Sequence, residues 1–234
     1  MNPELLALAP IWYVVFLLSL TCHEASHAFA AKLGGDMTAF EGGQVTLNPI
    51  PHMRREPFGT ILFPLLTYVM SGWMMGWASA PFDPHWAQRH PRRAAWMALA
   101  GPAANLALVL IAASAIHVGI LTGIFSPPES AGFTHIVDAS PGTAAEGVAL
   151  FLSILFSLNL LLMAFNLLPV PPLDGITAVG IFLPERAALR VAQWGHNPAL
   201  MLLGMVVAWR AFGYLFSPLF TLGLNLLYPG HGYQ

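Results

Sequence analysis

The sequence predicts an all-α, multi-pass membrane protein with about five to six membrane segments and a short β-hairpin or re-entrant element after the first helix. Composition, the spacing of long apolar runs and the polar breaks between them carry that reading. Of 234 residues, 56% are hydrophobic and 9% charged, against roughly 25% charged in an ordinary soluble domain. Mean hydropathy is +0.65, so the lipid bilayer is the expected surroundings. A formal net charge of −2 gives no reason to expect a nucleic-acid partner. A single cysteine, Cys22, excludes an internal disulfide framework. No basic residue precedes the first apolar run, which argues against a cleaved secretory signal. Residues 1–234 read as one transmembrane domain.

A spanning helix needs about 20 apolar residues. The first such run covers 5–33; it is almost pure hydrocarbon to Cys22 and then turns polar at His23-Glu24-Ala25-Ser26-His27. The second, 58–80, is interrupted by Pro64, Gly72 and Gly76. Core helices are expected at 94–121 and 147–175, and one kinked C-terminal helix or two pieces at 199–228 around Ser217-Pro218. Among the connectors, 43–47 could form a short strand. The stretch Glu185 to Trp194 is weakly amphipathic and could lie along the interface.

The chemistry-bearing motif is His23-Glu24-Ala25-Ser26-His27, an H-E-x-x-H pattern. Helical residues four apart share one face, so the two imidazoles can hold one Zn²⁺ at about 2.0–2.1 Å. Glu24 is then placed to take a proton from a zinc-bound water, whose pKa falls to about 7. In a soluble helix five such residues arise readily by chance. Here they follow a long apolar run, where ionisable groups are costly unless paired or metal-bound. A catalytic zinc takes three protein ligands and one open position. Asp174 is the best third ligand, because 147–173 carry no charge and three prolines (169, 171, 172) break the chain before it. Broken backbone at membrane depth is tolerated where it is buried or lines a cavity. An ordinary capping role for Asp174 is the plainer alternative. Asn105 and Asn166, and less readily Asn159, could donate to an oxyanion or equally staple two helices together.

Three motifs in order, His23-Glu24-Ala-Ser-His27, Gly101-Pro102-Ala-Ala-Asn105 and Asn166-Leu-Leu-Pro169-Val-Pro171-Pro172-Leu-Asp174-Gly175, resemble the site-2 protease family of intramembrane metalloproteases. The likeness is to its compact branch, without a PDZ or CBS domain. It implies a zinc enzyme, with one Zn²⁺ per chain, that cleaves transmembrane protein substrates in or near their membrane segments. By matching positions, His23, His27 and Asp174 would be ligands, Glu24 the base, and Asn105 and Asn166 active-site amides. The region Gly42 to His52 is also similar to compact members. An unwound substrate could add to an edge at 43–47 or at Trp77 to His85. His52 could be a partner behind a ligand, a gate, or an ordinary interfacial histidine. His85, His90, His117, His135, His196 and His231 show no ligand spacing.

The His pair and Asp174 lie near the exits of their helices, so those helices must run the same way. Two apolar stretches intervene, and one of them cannot be a simple span. Arg54 and Arg55 before 58–80, and Arg89, Arg92 and Arg93 after it, put both flanks on the cytoplasmic side. The stretch 58–80 is therefore expected to turn back near Gly72 or Gly76. The implied setting is a prokaryotic cytoplasmic membrane with the metal nearer the cytoplasmic face. A metal transporter would want ligands along a path, whereas these donors form one cluster. An inactive scaffold would not need both the base and three ligands. Oligomeric state is not legible.

Overall fold

The computed structural model of the chain describes residues 3–195 and 197–233, so His196 lies outside the described residues. Among them, four helices are long and apolar enough to cross a membrane: α1 (Pro3–Leu33), α6 (Pro91–Leu121), α7 (Ala144–Asn166) and α10 (Pro198–Leu227). Shorter helices lie between them: α2 (Thr38–Glu41), α3 (Pro49–Arg55), α4 (Phe63–Ser71), α5 (Pro84–Arg89), α8 (Asp174–Ala178) and α9 (Glu185–Trp194). A π turn, Phe58–Leu62, leads into α4, and a 3-10 turn, Val179–Phe182, follows α8. The sole strand pair among the described residues, β1 (Phe125–Ser126) with β2 (Asp138–Ala139), is antiparallel and connects α6 to α7.

Hydrogen bonds fix the helix directions. Gly34 O accepts from Arg93, His27 meets Met97 O and His23 meets Asn105, so α6 runs antiparallel to α1. Asn159 of α7 reaches Ser19, and Asp174 beyond α7 reaches the His pair. Thus α7 runs parallel to α1, which brings Asp174 to the same end as the His pair. The buried core joins Trp12, Val15 and Phe16 of α1 to Val109, Ala112 and Ile116 of α6 and Leu152, Leu155 and Leu158 of α7.

Within 58–80, a short helical arm is followed by an extended segment that lies against its start. From Phe58 to Ser71 the helical rise is about 21 Å, short of an apolar layer of about 30 Å. Gly72 ends α4 in the left-handed region at φ 76°, and Trp77 N–H then donates to Gly59 O at 3.1 Å. A Cβ on Gly76 would strike Gly59 O, so the two arms meet through glycine backbone. Both ends return to where α1 exits: Ser79 donates to Glu56 at 2.7 Å, Asp83 N–H to Asp36 at 2.8 Å and Trp86 Nε1 to Gly34 O at 3.0 Å. Burial raises the Asp36 carboxyl, but hydrogen bonds from Thr38 and the Asp83 backbone outweigh it and hold the carboxyl below its ordinary value.

Two features differ from the sequence reading. Residues 43–47 are turns and bends, because Gly43 takes φ 70° and Gln44 reaches across to Pro51 O at 3.1 Å. The helix expected over 147–175 stops at Asn166, since the residue before Pro169 is pushed out of helical geometry. Of the two alternatives for the C-terminal run, the single helix forms, with Pro218 inside it.

Candidate metal centre

Two helical turns and one broken loop build the site. His23 and His27 stack on one face of α1, their rings 4.6 Å apart and near-perpendicular. The prolines after α7 lay residues 167–173 into turns that begin α8 with Asp174. His27 Nε2 lies 3.0 Å from His23 Nε2, and Asp174 Oδ2 lies 3.1 Å from His23 Nε2 and 3.3 Å from His27 Nε2. Donors at 2.0–2.1 Å around a tetrahedral zinc stand about 3.3 Å apart. The triangle therefore has the dimensions of three zinc ligands.

Proton placement points the same way. His23 Nδ1 donates to Asn105 Oδ1 at 2.6 Å, because the Asn105 amide nitrogen is itself donating to Asn159 Oδ1 at 2.8 Å. His27 Nδ1 donates to the Met97 carbonyl at 2.7 Å. In the neutral imidazoles both Nε2 lone pairs then face Asp174 Oδ2, which is buried with no hydrogen-bond donor. Three converging acceptors repel one another unless a cation sits among them. Gly101 of α6 leaves the space: a Cβ there would lie 2.6 Å from His23 Nε2 and closer still to His27 Nε2. On spacing, protonation and room, the residues fit a zinc ion, and His23, His27 and Asp174 form a group that could hold one.

The open side faces an apolar cavity of about 1440 Å³ lined by His23, Glu24, His27, Asp174 and Asn166. Residues 73–80, in neither helix nor strand, form part of its wall, with Met205, Trp209 and Phe212 of α10. The two amides expected beside the reaction centre part company. Asn166 borders the cavity, with one amide hydrogen donated to Leu162 O at 3.1 Å. Asn105 is fully buried behind His23 and does not line the cavity, its amide serving His23 and Asn159. Asn159 continues inward, donating to Ser19 Oγ at 2.9 Å and Leu155 O at 2.8 Å. Ser19 in turn donates to Val15 O at 2.7 Å.

Sequence reading missed this line of hydrogen bonds. Ser19 stands four residues before His23, on the same helical face, and that spacing was the available signal. His52 is buried away from the cavity, with Nε2 donating to Thr46 O at 3.0 Å.

Residues 11–208 match peptidase family M50. The chain belongs to that family. The resemblance to the site-2 proteases read from the three motifs is thereby borne out. This M50 chain is 31% identical over 233 residues to a Bacillus subtilis (strain 168) protein named "Putative zinc metalloprotease YwhC", covering 92% of this chain and 96% of that protein. It is 34% identical over 191 residues to "Putative zinc metalloprotease Rip2" of Mycolicibacterium smegmatis, covering 80% of this chain and 64% of that one. The protein of the same name from Mycobacterium tuberculosis (strain H37Rv) is 30% identical over 221 residues, covering 93% and 75%. No solved structure matches the chain.

Proposed function

We propose that this chain is an intramembrane zinc metalloprotease, with one zinc per chain held by His23, His27 and Asp174. The observation that carries the reading is the convergence of two imidazole lone pairs and a carboxylate at 3.0–3.3 Å on the floor of an apolar cavity. A zinc ion there supplies Lewis acidity toward a peptide carbonyl and toward water. Glu24, beside the first ligand on the cavity wall, takes the proton of the attacking water and passes it to the leaving amine. Asn166 is the better placed of the two amides to donate to the developing oxyanion. Asn105, with Asn159 and Ser19 behind it, holds the tautomer and orientation of His23.

The substrate is a transmembrane segment of another protein, whose helix must unwind before a peptide bond can reach the zinc. The irregular wall at 73–80 supports that step, because backbone outside helix or strand can pair with an incoming extended chain. The setting is a prokaryotic cytoplasmic membrane. Lys32, Arg54, Arg55, Arg89, Arg92 and Arg93 cluster where α1 ends and α6 begins, which favours a cytoplasmic position for that end and for the zinc near it.

Wild type and Glu24→Gln, purified in detergent, test the reading by zinc content and by cleavage of a synthetic transmembrane substrate. About one zinc in each, with cleavage only by wild type, supports it. Equal cleavage by both would end the proposed role of Glu24, and absence of zinc from both would end the metal site.

A further inference from the structure

Of the four long helices, α10 is the least buried. It touches the rest of the chain along a narrow stripe: Ala208 is buried, and Gly204 packs against Pro171 O, where no Cβ could fit. About a quarter-turn around, Met205, Trp209 and Phe212 face the cavity. The opposite face carries Leu203, Val206, Val207, Arg210 and Tyr214, all exposed. Positions 203, 207, 210 and 214 follow the alternating four-and-three spacing of a helix-packing seam.

Arg210 is the anomaly on that seam. At 1.5 Å per residue it lies about 18 Å from the start of α10 and about 26 Å from its end. Centring this helix in an apolar layer of about 30 Å leaves the Arg210 backbone roughly 10 Å inside the nearer boundary. An extended arginine reaches about 6 Å and recovers only part of that depth. The other eight basic residues all lie outside the four spanning segments or within three residues of an end. Among the described residues, Arg210 makes no ion pair, hydrogen bond or ring contact. Charged groups at membrane depth are retained where they pair, and here the partner has to come from outside the chain.

We propose that the outward face of α10 docks a transmembrane helix of a second, non-substrate protein, whose aspartate or glutamate pairs with Arg210 at membrane depth. Charge complementarity selects this occupant. Another copy of this chain offers only Glu24 and Asp174 at such depth, and both face its own cavity. A substrate helix belongs on the opposite, cavity-facing side of α10. The docked helix flanks the wall made by Met205, Trp209 and Phe212, so its binding bears on how that wall sits. The proposal requires only that α10 spans the bilayer, and it stands or falls separately from the peptidase reading.

The test uses the full chain in phosphatidylcholine vesicles, with energy transfer to synthetic leucine-alanine transmembrane helices. The helices carry one Asp, Asn, Lys or Leu about 10 Å from the end that faces the α9 side. The expected result is at least tenfold tighter association of the Asp helix than the Leu helix with wild type. Arg210→Leu should lose that preference, and Arg210→Glu should transfer it to the Lys helix. Zinc content and melting temperature should stay at wild-type values in both variants, because Arg210 is exposed and makes no ion pair, hydrogen bond or ring contact among the described residues. Equal binding of the Asp and Leu helices by wild type would overturn the proposal, leaving Arg210 to reach headgroups alone. So would an Asp preference that survives in Arg210→Leu. Probe-free self-association that depends on Arg210 would also overturn it, by making a second copy the occupant.

Discussion

Gly101→Ala places one methyl group into the space enclosed by the imidazoles of His23 and His27, the proposed zinc ligands. The new carbon would lie 2.6 Å from His23 Nε2 and nearer to His27 Nε2, whereas ordinary non-bonded contact begins near 3.5 Å. Each ring must therefore retreat by about 1 Å. Neither is free to do so, since Nδ1 of His23 is tied to Asn105 and Nδ1 of His27 to Met97 O. A misplacement of about 1 Å at a reacting centre can cost on the order of 100-fold in rate, and disturbed ligand support costs about 10–100-fold in metal affinity. Alanine in a helix interior is otherwise worth about 0.5–1 kcal/mol over glycine. The expected outcome is thus a split: zinc affinity falls at least tenfold and cleavage about 100-fold, while helix content and metal-free melting temperature hold. Competition with a chromophoric chelator measures the first, and circular dichroism the last two. Zinc binding by Gly101→Ala within twofold of wild type would refute the geometry of the site.

Two further outcomes follow from the polar groups behind and beside the centre. Asn159→Leu strands the Asn105 amide and the Ser19 hydroxyl, so zinc affinity should fall about tenfold, with a loss of about 1–3 kcal/mol in stability. Adding Asn105→Leu should cost less than the sum of the two single changes, read by chelator competition and thermal melts of all three variants. Because the Asp36 carboxyl is held below its ordinary value of 3.8, its contribution is fully present above that value. It is lost as pH falls through the lower folded value. Asp36→Asn should therefore melt earlier at pH 7 by the equivalent of about 1–2 kcal/mol and converge with wild type toward pH 3; a constant gap across that range would contradict this.

The parts legible in the sequence were those where a polar residue stands out against hydrocarbon. The His pair and Asp174 stood out in that way, and they converge in the fold. A turn back within 58–80 was expected from the arginines on both flanks, and in the fold Trp77 N–H meets Gly59 O. Side-chain direction was not legible. Asn105 and Asn166 read alike as amides in apolar helices, yet one lies behind His23 and the other on the cavity. Only the packing of α1, α6 and α7 distinguishes them. Turn chemistry at Gly43 overrode the strand propensity of 43–47. The exposure of Arg210 depended on which face of α10 meets the bundle, and Gly204 and Ala208 set that face by packing.

Where the cut falls decides whether the chain is an intramembrane protease. Purified chain in vesicles would be given a single-span substrate, and both fragments would be sized by mass spectrometry with and without a zinc chelator. New termini are expected inside the substrate's apolar segment, disappearing on chelation and returning with added zinc. Termini confined to the water-exposed flanks, or cutting unaffected by the chelator, would contradict that reading.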